Sequence, residues 1–219
     1  MENVTDRTSN PFGMRPSCES RCSEGTEAVF GYGDANADFH VIGDHPGVHG
    51  GGETGVPFTG SRAGEAVQRA LFETGFLDER YADEPAIEDC FLSYLHMCCP
   101  PAGREPTPGE YADMERFFDA ELRAIAAHVL LPVGERALEQ VLANYTAQVR
   151  RIEVDMEALH ATEIRGSGFL VVPIREPVDW EEGDGQRLID SLAAIRGSDY
   201  RRTADLSRFL GSDELYFVR

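Results

Sequence analysis

The sequence predicts an α/β protein, a three-layer α/β/α arrangement around a central four-stranded, mainly parallel sheet. Short apolar runs of strand length alternate along the chain with longer segments of helical periodicity. The connections between runs are long enough for the crossovers that parallel strands require. With 219 residues and no visible repeat, the chain suffices for one full-sized domain or at most two small ones.

Residues 1–29 are polar, contain Pro11, Pro16, Cys18 and Cys22, and read as an arm; residues 30–219 read as a single domain. The first strand is Phe39-His-Val-Ile, between the turn-rich Gly31–Asn36 and Gly43-Asp-His-Pro-Gly. After a glycine-rich stretch to Gly60, the residues Ala63, Ala66, Val67, Ala70, Leu71 and Thr74 recur at helical spacing, and Gly75 ends the helix. A second strand is Cys90–Met97. Thr107 with Glu110 forms a capping box, Pro108 suits the first helical position, and Tyr111, Met114, Phe117, Phe118, Leu122 and Ile125 share one helix face. His128–Val133 is a third strand, followed by a helix through Ala137, Leu138, Val141 and Leu142. Phe169–Ile174 is the fourth strand, before a helix carrying Leu188, Ile189, Leu192 and Ile195.

The apolar fraction of 42% rules out a wholly disordered acidic chain. No apolar run approaches the roughly 20 residues that span a bilayer, and Met1–Asp6 lacks a signal-peptide pattern. A soluble, cytoplasmic protein without a membrane partner is expected. All 20 basic residues are Arg, against 39 acidic ones, for a net charge of -19. Strong salt relieves the self-repulsion of such a surface, so the composition suits a high-salt cytoplasm; a GC-rich genome also favours Arg over Lys. The charge argues against generic nucleic-acid binding through phosphate neutralisation, and leaves shape, stacking and hydrogen bonding as routes to DNA.

In parallel sheets ligands sit at the carboxyl ends of the strands, here Gly43–Phe58, Tyr94–Pro101, Val133–Glu135 and Ile174–Pro177. Four stretches of the chain, at or beside these ends, resemble the uracil-DNA glycosylase superfamily, most of all its iron–sulfur, family 4 branch. They are Gly31-Tyr-Gly-Asp, Gly43-Asp-His-Pro-Gly with Gly55-Val-Pro-Phe-Thr-Gly, Cys98–Glu110, and His128–Ala137. The resemblance implies a monomeric DNA N-glycosylase that flips a base out of the duplex and hydrolyses its glycosidic bond in base excision repair.

The resemblance also assigns roles. Asp44 matches the carboxylate that orients water and stabilises positive charge on the sugar. Phe58 matches the aromatic that stacks on the flipped base, with core packing as its ordinary alternative. Backbone amides of Gly43–Gly47, including His45, face the sugar phosphate and base. Three departures bear on activity. Asp44 stands for a Glu one methylene longer. Tyr94 stands for the Asn that reads the base edge, with one hydroxyl in place of a donor–acceptor pair. Glu176 stands for the His that stabilises the departing base; ionised it would repel an anion, protonated it could donate. Arg175 is a second source of cationic stabilisation, or else half of a surface ion pair.

The same branch holds a four-iron four-sulfur cluster. Cys18, Cys22 and Cys98 match three of its ligand positions, Met114 stands at the fourth, and Cys99 is the remaining candidate. Cys90 reads as a small core residue, and disulfides are not expected in a cytoplasmic chain. His45, His49 and Glu53 mimic metal-ligand spacing, but Gly50-Gly-Gly argues against the helix that would give the spacing meaning, which leaves either His as a candidate pocket acid or base. The Arg150-Arg151 and Arg201-Arg202 pairs could touch phosphates or pair with carboxylates. Two functions of different class remain: a glycosylase with an altered base preference, and a catalytically degenerate relative that binds nucleic acid or a nucleobase without turnover.

Overall fold

The computed structural model describes residues 3–5, 10, 13–18, 28–101, 104–146 and 152–207; Cys22, Arg150 and Arg151 lie outside them. The sheet is larger than expected, with seven strands in the order β1-β2-β4-β3-β5-β7-β6. Its four central strands are β3 (Phe39–Gly43), β4 (Cys90–Tyr94), β5 (Val129–Pro132) and β7 (Phe169–Val171). They are parallel and correspond to the four expected from sequence. The additional strands β1 (Asn3–Val4), β2 (Tyr32–Asp34) and β6 (Ile164–Gly166) pair antiparallel at the two edges. They are two or three residues long, too short for alternation to show in a sequence. β1 lies within the segment expected to be an arm.

Helices cover both faces. On one, α2 (Arg62–Glu73) and α6 (Asp184–Arg196) bury Val67, Leu71, Leu188, Leu192 and Ile195 against Phe39, Val41, Leu92 and Leu131. On the other, α3 (Pro108–Ile125) and α4 (Glu135–Tyr145) bury Phe118, Leu122, Leu138 and Val141 against Ile42, Leu130 and Val171. Alternate strand residues thus feed separate cores, as the two-residue strand period demands. Short helices α1 (Pro46–His49), α5 (Met156–Leu159) and α7 (Tyr200–Ser207) complete the fold with one 3-10 turn at Pro177–Asp179. Among the described residues, no helix is long and apolar enough to cross a membrane.

The start of α3 is fixed by the predicted capping box. Thr107 Oγ1 accepts from the Glu110 amide, and Glu110 accepts from the Thr107 amide at 2.7 Å. Arg104 grips the same carboxylate with both terminal nitrogens, at 2.7 and 2.8 Å. Thr107→Ala should lower the melting temperature by roughly 2–4 °C, the usual effect of a lost N-cap in a domain of this size, in a thermal melt at fixed salt.

At the opposite end of the sheet Asp38, almost buried, is clasped by α7. Its Oδ2 accepts from the Tyr200 hydroxyl at 2.9 Å and Arg201 Nε at 2.8 Å, and its Oδ1 meets His128 Nδ1 at 3.0 Å. Burial alone would raise the Asp38 pKa; the Arg201, Tyr200 and His128 contacts more than reverse this and hold it low. Arg201 is therefore paired with a carboxylate, one of the two roles its sequence allows.

Two buried titratable groups lie within the layers. Glu121 of α3 is fully buried, accepts from the Gly31 amide at 2.9 Å through Oε1, and has no partner for Oε2. Burial pushes its carboxyl up to about 8. His40, also fully buried, shares its Nε2 with Ser93 Oγ at 2.7 Å and is pushed down to about 3 by burial.

Candidate active site

The central strand order reverses direction of winding between β3 and β5, and a crevice at such a point is where open parallel sheets bind ligands. Asp44, the first residue beyond β3, stands there with its side chain 17% exposed. Its main-chain oxygen accepts from the His96 amide at 3.0 Å, which ties the ends of β3 and β4 together. Its carboxylate is held at both oxygens. The Tyr111 hydroxyl donates to Oδ1 in a short bond, and Arg136 Nε lies 3.4 Å from Oδ2.

Beyond Asp44 the chain turns into α1, a helix not expected beside Gly50-Gly-Gly. Gly50, at φ 89°, terminates it, and a Cβ there would lie 2.0 Å from the Thr59 carbonyl oxygen. The turn brings His49 back beneath Asp44, fully buried. The Asp44 amide donates to His49 Nδ1 at 3.0 Å, so the ring proton resides on Nε2. Nε2 then donates to Glu176 Oε2 at 3.1 Å, while Glu176 Oε1 is buried without a hydrogen-bond partner. Asp44, His49 and Glu176 form one chain of contacts linking the ends of β3 and β7. In the same turn His45 accepts the Gly47 amide at 3.0 Å. Two amides expected to face a ligand, those of Asp44 and Gly47, are thus occupied by the protein's own imidazoles.

Phe58 is fully buried and held at φ 59°, a left-handed backbone rarely taken by an aromatic residue. Its amide donates to the Tyr94 hydroxyl at 2.7 Å, and its carbonyl accepts from Gln68 Nε2 at 2.8 Å. The Tyr94 hydroxyl in turn donates to the Gly50 carbonyl at 3.0 Å. That hydroxyl is therefore engaged on both sides by main chain, and burial raises its pKa well above the usual range. His49 lies nearly parallel to Phe58, with ring centroids 5.3 Å apart and planes at 28°. Gly43 closes the cluster: a Cβ there would come within 2.8 Å of Tyr94, His49 and Phe58. The four residues pack as one unit at the end of β3.

His96 donates from Nδ1 to the Cys98 carbonyl at 2.9 Å and meets Tyr111 edge-on at 5.5 Å. Burial lowers the pKa of both His96 and His45, against the opposing pull of Asp44. Arg175 points away from the site, to Asp184 at 3.2 Å and Glu181 at 3.5 Å. Of the expected residues, Gly43, Asp44, His45, Phe58, Tyr94 and Glu176 gather at this end of the sheet. Tyr111, Arg136 and His96 join them unforeseen.

The cysteines depart from expectation. Cys18 and Cys98, 80 residues apart in sequence with Cα atoms 5.5 Å apart, form a disulfide. Cys99 is disulfide-bonded as well, and Cys90 is a buried free thiol. With the sulfurs of Cys18, Cys98 and Cys99 engaged, and Met114 against this corner, the described residues do not fit an iron–sulfur cluster. Among them no group of three or more His, Cys, Asp or Glu is arranged to hold a metal ion.

The fold and its crevice define an α/β protein with a carboxylate, an imidazole and an aromatic cluster at the switch point of a parallel sheet. The chain belongs to the Uracil DNA glycosylase superfamily, whose sequence model matches residues 30–181. It is 27% identical over 171 residues to a type-5 uracil-DNA glycosylase of Pyrobaculum aerophilum, covering 75% of this chain and 71% of the relative. A type-5 enzyme of Thermus thermophilus is 32% identical over 121 residues, 53% of this chain and 55% of the relative. A type-4 uracil-DNA glycosylase of Thermotoga maritima is 28% identical over 158 residues, 72% and 66% of the two chains. Relatives of both types match, so similarity extends beyond the branch that the sequence motifs resemble.

Proposed function

We infer that the protein is a DNA N-glycosylase that hydrolyses the bond between deoxyribose and a flipped uracil or related deaminated base, the first step of base excision repair. The observation that carries this is Asp44, a part-exposed carboxylate held at both oxygens at the switch point of the sheet. Such a group orients a water molecule toward the anomeric carbon and offsets the positive charge that develops as the base departs. Glu176 contributes at the base edge. Its unpartnered Oε1 accepts an N–H; uracil and xanthine offer an imide N–H and hypoxanthine a lactam N–H. Tyr94, its hydroxyl spent on main chain, acts as a wall of the base site. Phe58, the residue that the resemblance assigns to stacking, is fully buried against His49 and Tyr94, so a base stacks on it only when His49 gives way, while His45 with the Gly43–Gly47 turn shapes the floor. Residues 30–219 act as one domain and as a monomer on DNA in a salt-rich cytoplasm, to which the lysine-free surface with net charge -19 is suited.

A second function, binding without turnover, is favoured by one observation: His49 lies against the Phe58 ring, where a stacked base would need room. The two are separated by assaying base release from labelled oligonucleotides carrying uracil, hypoxanthine or xanthine, in molar KCl. Release that falls by about a hundredfold or more in Asp44→Ala establishes the enzyme and names its base. Folded protein that binds the oligonucleotides but releases no base at any salt concentration establishes the binder.

A further inference from the structure

We propose that Tyr111 and Arg136 are positioning residues for Asp44, a two-point clamp supplied by the helix layer that fixes the carboxylate for attack on the sugar. This rests on the glycosylase function inferred above.

The clamp is built from two helix starts. Tyr111 lies in the first turn of α3, downstream of the capping box that pins this end of the helix. Arg136 is the second residue of α4, which follows Gly134 at φ 83°. The helices approach from one side of the sheet, and their side chains meet over Asp44. The guanidinium of Arg136 lies 4.7 Å from the centre of the Tyr111 ring, and each residue takes a different carboxylate oxygen. His96 supports the other edge of the phenol ring, at 5.5 Å. A carboxylate with one fewer methylene than glutamate has little reach of its own, and two fixed contacts set its plane. Without them it would rotate about χ2 and present water poorly, and reactions of this kind are sensitive to misplacement of even 1 Å.

The two contacts are not equal. Arg136 is 45% exposed and is also 3.8 Å from Glu105, so its pull on Asp44 is shared and screened by salt. The Tyr111 bond is part-buried, donated to a charged acceptor and insensitive to salt. Tyr111 carries the larger share.

The test is a double-mutant cycle on single-turnover base release in molar KCl. Tyr111→Phe removes one oxygen and keeps the ring that packs against Arg136 and His96. We expect kcat to fall about 30-fold with KM within twofold of wild type and an unchanged melting temperature. Arg136→Gln should cost less, about threefold, and its loss should shrink as KCl rises. In an Asp44→Ala background Tyr111→Phe should have no further effect, because its target is gone. A full 30-fold loss in that background, or no loss in the wild-type background, overturns the clamp while leaving the glycosylase function standing. Wild-type protein that releases no base overturns both.

Discussion

Asp44→Asn should lower single-turnover base release by about a thousandfold while binding to the oligonucleotide changes little. The amide keeps the size of the side chain and still accepts the Tyr111 hydroxyl through its oxygen. What it loses is the negative charge beside the anomeric carbon and the capacity to orient water as an acceptor on both sides. Losses of about 10²–10⁴ are typical for a positioned acid–base or charge-stabilising group. A thousandfold fall corresponds to about 4 kcal/mol of transition-state stabilisation. The loss belongs in kcat and not in KM, because the positive charge exists only as the bond breaks. An Asn variant with wild-type kcat would show that Asp44 is a structural residue and that the turnover arises elsewhere.

Glu121→Gln should stabilise the protein, and by an amount that grows with pH. The Glu121 carboxyl is raised from 4.5 to about 8, mainly by burial. Above pH 4.5 the unfolded chain ionises this group while the folded chain holds it protonated, so stability falls steadily until about pH 8, where the folded form ionises too. The accumulated loss is on the order of a few kcal/mol. Gln keeps an oxygen for the Gly31 amide and never ionises. The variant should match wild type near pH 4 and melt roughly 10 °C higher at pH 8. His40, a base depressed from 6.5 to about 3, works in the opposite sense: its contribution is lost as the pH falls from about 6.5 toward 3. Between pH 4.5 and 6.5 the two slopes cancel, so these groups alone give a plateau of stability with a fall on either side. A melting-temperature difference that stays flat from pH 4 to pH 8 would exclude Glu121 as the source.

The sequence made the central architecture legible because its signals are local. Phe39–Gly43 is a short β-rich run between turns, and Thr107 with Glu110 is a cap whose two halves are three residues apart. Asp44, Phe58, Tyr94 and Glu176 were singled out by the resemblance to the glycosylase superfamily, whose motifs fall in the segments around and after the strand ends. What escaped depends on distance in sequence. Cys18 and Cys98 are 80 residues apart; the resemblance brought them together as cluster ligands, but nothing in the sequence pointed to a disulfide between them. Tyr111 was counted as apolar because its ring sits on the buried face of α3; only the three-dimensional fold shows its hydroxyl crossing 67 residues of sequence to Asp44. His49 was discounted only as a metal ligand, and one turn ended by Gly50 suffices to aim its ring into the site. Glu121 has the same cause, since a carboxylate on an amphipathic helix looks solvated until the sheet closes over it.

The clasp on Asp38 has a consequence for the way the chain reaches its final form. Tyr200 and Arg201 lie 162 and 163 residues after the aspartate they hold. On a ribosome, the rim that opens β3 emerges early and stays without these partners until nearly the whole sheet has been made. During that interval the Asp38 amide can meet Asp89, 51 residues downstream, and its carboxylate His128, 90 residues downstream. Closing so large a loop brings little reward until the end, which is a recipe for slow, late consolidation. The nascent protein can thus assemble the rim around Asp44 before it locks the rim around Asp38.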